Sequence, residues 1–190
     1  MGVESITSFK SRISRGGLRP TQFECELTLP QGNNLSYYGK YFRELDKWRF
    51  LCKSVQVPSS QLTTTSVGLP AGGALKLPSS RIFEPWSVSV ISDDNMLIRA
   101  MLEDWSRSCM GHQNLYGSGQ LSQLFGTAMV RQLSVDGEPV REYYLEGLYP
   151  MMIDAQDLSA DATDTISEFG VTFNYQYHET GQRSNDGFRF

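Results

Sequence analysis

Glu168-Phe169-Gly170-Val171-Thr172-Phe173-Asn174-Tyr175-Gln176-Tyr177 alternates without a break, with Phe169, Val171, Phe173, Tyr175 and Tyr177 on one side and Gly170, Thr172, Asn174 and Gln176 on the other. A period of two belongs to a β-strand with one apolar and one polar face, because successive side chains point to opposite sides of a sheet. The same pattern recurs upstream. Phe23, Cys25, Leu27 and Leu29 alternate with polar residues up to Pro30, Trp48, Phe50 and Cys52 begin a run to Val57, and Trp86, Val88 and Val90 alternate with Ser87 and Ser89. Phe125 to Val135 and Arg141 to Leu148 read as two further strands, joined through Asp136-Gly137, a dipeptide suited to a two-residue type I′ hairpin turn. Tyr149-Pro150 is expected to end the second of them.

Between the strands one segment has helical spacing. Leu97, Ile98, Met101, Leu102 and Trp105 fall on one face, with Ser92-Asp93-Asp94 as N-cap chemistry and Gly111 as a stop. Gln31 to Lys47 reads as a polar loop and Gly117-Ser118-Gly119 as a flexible joint. The stretch from Pro58 to Pro85 carries four prolines and three glycines; within it Thr63-Thr64-Thr65 and Ala74-Leu75-Lys76-Leu77 are predicted to pair as an extended hairpin reaching away from the body. The division predicted is an N-terminal arm (1–20), a β domain (21–178, with 58–85 as the extended arm) and a polar tail (179–190) ending Phe188-Arg189-Phe190. The fold class expected is mainly β, a two-layer sandwich or partial barrel with one amphipathic helix.

Composition narrows the chemistry. With 190 residues, 39% hydrophobic and 20% charged, a chain of this size buries roughly 70% of its unfolded surface and needs no disulfide or metal staple. No apolar run approaches the ~20 residues of a membrane span, and Met1 to Pro20 has no apolar core of a secretory signal, so the expectation is a soluble protein made in the cytoplasm, with no membrane partner. Cys25 and Cys52 lie among alternating apolar residues and are expected to be buried thiols; Cys109, His112 and His178 complete the inventory without metal-ligand spacing, and both histidines are expected at the surface or in turns. Asn34-Leu35-Ser36 matches a glycosylation acceptor, which carries no meaning without export.

Phosphate-binding glycine loops, nucleophile elbows and zinc-protease motifs are all missing from the sequence. Asp154, Asp157, Asp161 and Asp164 lack the spacing of a calcium loop and read as a solvated acidic loop. Seventeen basic against 21 acidic residues give a net charge of −4, and the basic ones are dispersed outside the N-terminal arm, so specific nucleic-acid binding is not expected. No catalytic, cofactor-binding or metal residue is assigned, no cofactor is expected, and the chain is not read as an enzyme. A sheet with one apolar face hides that face under a helix but leaves its edges unpaired, which must be covered or paired with copies of the same chain.

The chain resembles the tail tube proteins of contractile-tailed bacteriophages of the T4 type. The likeness is carried by Arg19-Pro20-Thr21-Gln22-Phe23-Glu24-Cys25-Glu26, by Phe50-Leu51-Cys52-Lys53-Ser54-Val55-Gln56-Val57-Pro58, and by Arg81-Ile82-Phe83-Glu84-Pro85-Trp86-Ser87-Val88-Ser89-Val90 followed by a helix ending Glu103-Asp104-Trp105. It continues through Ala128-Met129-Val130-Arg131-Gln132-Leu133, Leu145-Glu146-Gly147-Leu148-Tyr149-Pro150 and Phe169-Gly170-Val171-Thr172-Phe173-Asn174-Tyr175. The chain departs from the family in its longer connector, Gln31 to Lys47, and its extended tail after Glu179.

The resemblance implies a structural virion protein that forms hexameric rings, each subunit lending four strands to one ring-shaped oligomeric β-barrel, stacked into a hollow tube for DNA ejection. At about 24 strands, ~4.8 Å apart and tilted ~40°, such a barrel is roughly 45 to 50 Å across, with a channel of about 35 to 40 Å. It implies as partners other copies of the chain, the tail sheath protein, baseplate and neck or terminator proteins, and tape measure protein and genomic DNA in passage, with assembly in the host bacterial cytoplasm. Thr172, Asn174 and Gln176 become candidates for the lumen, and Phe169, Val171 and Phe173 pack outward under the helix. The arm 58–85 is the first candidate for contacts between rings and the N-terminal arm the second. The competing readings are a tube-initiating or neck-side adaptor of the same fold, the tube of a bacterial contractile injection system and, from another class, a β-rich enzyme or binding module.

Overall fold

The computed structural model of the chain describes residues 6, 17–30, 35–69, 72–111, 124–159, 161 and 165–181. In order these form β1 (Phe23–Thr28), α1 (Leu35–Leu51), β2 (Cys52–Val55), β3 (Gln61–Gly68), β4 (Ala74–Ile82), β5 (Trp86–Ile91), α2 (Leu97–Cys109), β6 (Gly126–Leu133), β7 (Pro139–Ile153), β8 (Glu168–Asn174) and β9 (Tyr177–Gly181). Most of the expected N-terminal arm, the start of the 31–47 connector, His112, Gly117-Ser118-Gly119, Asp164 and the Phe188-Arg189-Phe190 end lie outside the described residues.

The strands run in the order β1-β6-β7-β8-β5-β2, with β9 also on β7 and β3–β4 as a separate ribbon. Every pairing is antiparallel. The 15-residue β7 joins two layers: its first part pairs with β6 and β9, and Tyr149 to Ile153 pair with β8. Gly147 sits at the changeover with φ 68, where Gln176 donates its backbone N–H to Glu146 O at 2.9 Å. A Cβ at Gly147 would lie 2.4 Å from Gln176 Cγ, so both the backbone angle and the close approach require glycine.

Both helices pack against the apolar faces of the sheets. Ile98, Met101, Leu102 and Trp105 of α2 are buried as their spacing predicted. Phe173 is the meeting point, its ring 5.5 Å from Trp86, 6.0 Å from Trp105 and 6.2 Å from Trp48, so one residue of β8 touches β5, α2 and α1. Two of the indoles are anchored by their N–H groups, Trp86 to Gln56 O at 2.7 Å and Trp105 to Leu124 O at 2.9 Å, which satisfies polar atoms inside the core.

Several expectations are corrected. From Leu35 on, the connector 31–47 is not a loop but α1, so the described part of the expected β domain holds a second helix beside α2, and the strand expected from Trp48 is reduced to Cys52–Val55. Tyr41, Glu44, Leu45 and Trp48 line its inward face at helical spacing, while Phe50, counted in the alternating reading, is 79% exposed. The polar Glu44, buried beside Lys47 at 3.8 Å, hid that stripe from a hydrophobicity count. Helix α2 is entered through Met96 in the left-handed region without a side-chain cap, its N–H bonded to Asp93 O, and it ends at an extended Met110 rather than at Gly111.

The Asp136-Gly137 turn is a three-residue loop in which only Gly137 has positive φ, closed by Gly137 N–H to Ser134 O and Ser134 N–H to Glu138 O. Strand β7 runs on through Tyr149-Pro150: its last pair with β6 is at Leu148, and the register against β8 shifts between Pro150 and Met152, so Pro150 lies at an edge and a bulge, where a missing N–H is tolerated. The closing alternation divides into β8 and β9, placing Gln176 at a corner, and β9 takes Glu179 to Gly181 from the expected tail. His178 lies within β9 opposite Leu145, its ring against Phe83 and Tyr175. Burial, with the charge of Arg81, pulls its pKa below the usual histidine value.

Candidate assembly surface

Four strands, β2, β5, β8 and the end of β7, make one layer with two unlike faces. Trp86, Val88, Val90, Phe169, Val171 and Phe173 are buried on one side. Ser87, Ser89, Thr172 and Asn174 alternate to the other, where Ser87 and Thr172 hydroxyls lie 3.2 Å apart and Asn174 Nδ2 donates to Tyr149 Oη at 3.0 Å. Of the three residues proposed for a lumen, Thr172 and Asn174 therefore share a polar face, which carries the Asp154 carboxylate over Gly170 and the Lys53–Glu168 pair toward its other end, and Gln176 stands apart at the β8–β9 corner.

Among the described residues, no strand pairs with the outer side of β2 or with the side of Tyr149–Ile153 opposite β8. Large apolar side chains accompany both edges: Phe50 precedes β2, and Met152, 56% exposed, sits beside Met151 on β7. Because the four strands alternate in direction, β2 of one copy and the end of β7 in another are antiparallel when copies are placed side by side around an axis. Open edges of this kind are templates for strand pairing.

The β3–β4 ribbon leaves this layer from the end where Val55 and Trp86 lie. Its root is held by Tyr175 Oη donating to Ser59 O at 3.1 Å, by Phe83 against Tyr175, and by Arg81 Nη1 donating to Ser60 Oγ at 3.0 Å. The expected pairing is present: Thr65 faces Leu77 and Val67 faces Leu75, while Ser66 faces Lys76 and Thr64 faces Pro78. One side is therefore apolar, yet Val67, Leu75 and Leu77 are exposed, an uncovered face that an isolated subunit does not need.

The second layer carries a charged cluster that the sequence reading missed. Strand register brings Glu24, Arg131 and Glu142 side by side on β1, β6 and β7. Arg131 donates to Glu142 at 3.0 Å, Glu26 at 2.8 Å and Glu24 at 3.3 Å; Tyr144 donates to Glu142, and Arg49 of α1 pairs with Glu24. Burial opposes the Arg131 charge, but the surrounding carboxylates outweigh it and raise its pKa. No local motif announces such a set, since its members are more than 100 residues apart in sequence for the Glu24–Arg131 pair. Glu142 is 2% exposed, so the cluster braces the layer rather than offering it to a ligand.

Further along β7, burial and then the charge of Glu179 raise the pKa of Glu146. A carboxyl whose folded pKa is raised destabilises the fold once pH exceeds the unfolded value, and the penalty is complete above the folded one. Glu146→Gln is therefore expected to raise the melting temperature at pH 7 and to lose that advantage near pH 4; thermal scans at both pH values check it.

Cys25 and Cys52 are buried free thiols as expected, Cys25 through the alternation of β1 and Cys52 at the start of β2, although the run from Trp48 that was to carry it is helical. Among the described residues there is no group of three or more His, Cys, Asp or Glu placed to hold a metal, and no helix long and apolar enough to cross a membrane.

Unpaired sheet edges and an uncovered apolar hairpin define a protein built to assemble with others. The family model for phage tail tube proteins matches residues 18–181, and the chain belongs to that family. It is 27% identical over 162 residues to tail tube protein gp19 of Enterobacteria phage T4, covering 85% of this chain and 90% of that one. Its fold is similar to the tube-terminating cap of the anti-feeding prophage, with TM-score 0.61, 11% identity and coverage of 88% and 92% of the two chains. It is also similar to a chain of the sheath–tube complex of the extracellular contractile injection system PVC in the extended state, with TM-score 0.54, 11% identity and coverage of 90% and 95%. Tail tube proteins of contractile phages are structural components of the virion, not enzymes.

Proposed function

We propose that the protein closes into hexameric rings that stack as the inner tube of a contractile phage tail and conduct DNA at ejection. The observation that carries this is the four-stranded layer with an open edge on each side and strand directions that let β2 of one subunit continue the sheet from β7 of the next. Six copies supply the 24 strands of the barrel, and neither edge of this layer is left open within a ring. The body 21–178 forms the wall in this reading, with 58–85, 1–20 and 179–190 left for contacts along and outside the tube.

The polar row of Ser87, Ser89, Thr172 and Asn174, with Asp154 and the Lys53–Glu168 pair on the same face and so no excess of positive charge, suits a lumen. Contacts that release counterions from many phosphates would accumulate along a tube and hold the DNA back; hydroxyls and amides avoid that. The sheath protein, baseplate and terminator proteins are the partners outside and at the ends, tape measure protein and DNA pass within, and assembly takes place in the host cytoplasm.

Negative-stain microscopy of the purified chain, alone and with its baseplate and sheath proteins, tests this. Long hollow tubes are the expected result. A single ring that does not elongate would support the adaptor reading, and a monomer under every condition would overturn ring closure.

A further inference from the structure

The strand path begins at β1 and ends at β2, one in each layer, and among the described residues no backbone ladder joins these two strands. Two thiols meet there instead. Cys25 of β1 and Cys52, the first residue of β2, belong to one buried cluster, and their side chains hydrogen-bond to each other. Helix α1 lies between them in sequence and brings Trp48, one turn before Cys52, to the same place. The buried Trp48 indole N–H finds no nitrogen or oxygen acceptor and is turned to the Cys25 sulfur, whereas Trp86 and Trp105 donate to backbone carbonyls.

The two sulfurs are unlike. Hydrogen bonds from Cys52 and Trp48 favour a negative charge on Cys25 and pull its pKa below the usual thiol value, against the opposing effect of burial. Cys52 is pushed far up, by its bond to Cys25 and by burial. Cys25 is thus the nucleophile and Cys52 the partner that keeps its proton, the division found in redox dithiols. Cys109 differs from both: it is half-buried, burial raises its pKa, and its thiol donates to Leu124 O at 3.8 Å.

We propose that Cys25 and Cys52 form a disulfide when the folded chain meets a peroxide, and that the bond clamps the edge strand β2 and helix α1 to the second layer. The Cys25 sulfur attacks one peroxide oxygen and the O–O bond breaks, giving a sulfenic acid and a hydroxide that takes up the proton Cys25 had lost. The Cys52 sulfur then displaces the sulfenic oxygen; the S–S bond forms as the S–O bond breaks, and the Cys52 proton leaves with that oxygen as a second water. Two thiols lose two electrons and the peroxide gains them. Hydrogen peroxide, small and uncharged, suits a pair in which Cys25 is fully buried and Cys52 only 7% exposed.

The bond encloses all of α1 in the closed loop. It also gives a covalent hold to β2, which is four residues long and irregular against β5 between Cys52 and Ser54. Thiols stay reduced in a bacterial cytoplasm, so the bond belongs to the released particle and follows assembly. That timing rests on the tube reading; the bond itself does not.

Native treatment of the purified, reduced full chain with hydrogen peroxide, followed by denaturation, alkylation and peptide mapping, tests it. The expected result is loss of two of the three thiols, a peptide pair linked through Cys25 and Cys52, and Cys109 alkylated in full. The oxidised chain is expected to melt roughly 5–10 °C above the reduced one, as closing a loop of this length implies, and dithiothreitol is expected to reverse the shift. Cys25 and Cys52 both still alkylated after peroxide, or Cys109 oxidised ahead of them, would overturn the pair. A linked peptide without the higher melting temperature would overturn the clamp. Neither outcome touches the tube reading, which negative-stain images of the reduced chain report separately.

Discussion

Replacing Leu62–Arg81 by an Asn-Gly turn is expected to leave a stable, ring-forming subunit that builds no tubes. Gln61 and Ile82 are directly opposed in the ladder, so a two-residue turn joins them without moving the strands below. No residue of the removed segment belongs to the buried core, which ends at Phe83 on this side. Of the root contacts only Arg81 to Ser60 is lost, while Trp86 to Gln56, Tyr175 to Ser59 and Phe83 against Tyr175 remain. The melting temperature should therefore move by only a few degrees, the shift expected for about 1 kcal/mol or less in a domain of this size. Tube length, by contrast, should collapse to single rings, because the exposed Val67, Leu75 and Leu77 face is removed. Calorimetry and negative-stain length distributions report the two effects separately. Tubes of ordinary length would show that the hairpin does not join rings.

Phe173→Ala is expected to destabilise the subunit by about 3–5 kcal/mol, the range for emptying a large aromatic site in a packed core. Its ring contacts Trp48, Trp86 and Trp105, so truncation removes the common neighbour of α1, β5 and α2 and leaves a cavity among three rigid indoles. Against a typical total stability of 5–15 kcal/mol that is a large fraction, and the denaturation midpoint should fall accordingly. The near-UV signal of the tryptophans should change with it. Thr172→Ala, one residue away on the opposite face, is expected to cost about 1 kcal/mol or less, limited to its hydroxyl contact with Ser87. Equal losses for the two would contradict the assignment of faces on β8. Because the proposed ring closes through that layer, Phe173→Ala should also reduce ring yield in proportion to the unfolded fraction.

The alternation in β1, β5 and β8 was readable because a strand covered on one side imposes a strict period of two on its own residues. The same holds for the α2 stripe and for the hairpin, whose Thr65–Leu77 and Val67–Leu75 pairs follow from two short β-prone runs on either side of a turn. Reading failed where local patterns competed. Trp48, Phe50 and Cys52 fit a strand and Tyr41, Leu45 and Trp48 fit a helix; burial of Trp48 against Phe173 together with the hydrogen bond of Tyr41 to Asp104 decides for the helix. Pro150 looked like a stop because nothing local says that β6 has already left that side of β7.

Taken by itself, the amino-acid order determined which residues form apolar faces, that the subunit is mainly β, and that a ribbon projects between Pro58 and Pro85, because each of these depends on spacing within one short segment. The open edges of β2 and β7 and the joining of Glu24, Arg131 and Glu142 were decided only in three dimensions. Those features depend on which strands become neighbours and in what register, and backbone pairing between distant segments leaves no trace in the local pattern of either.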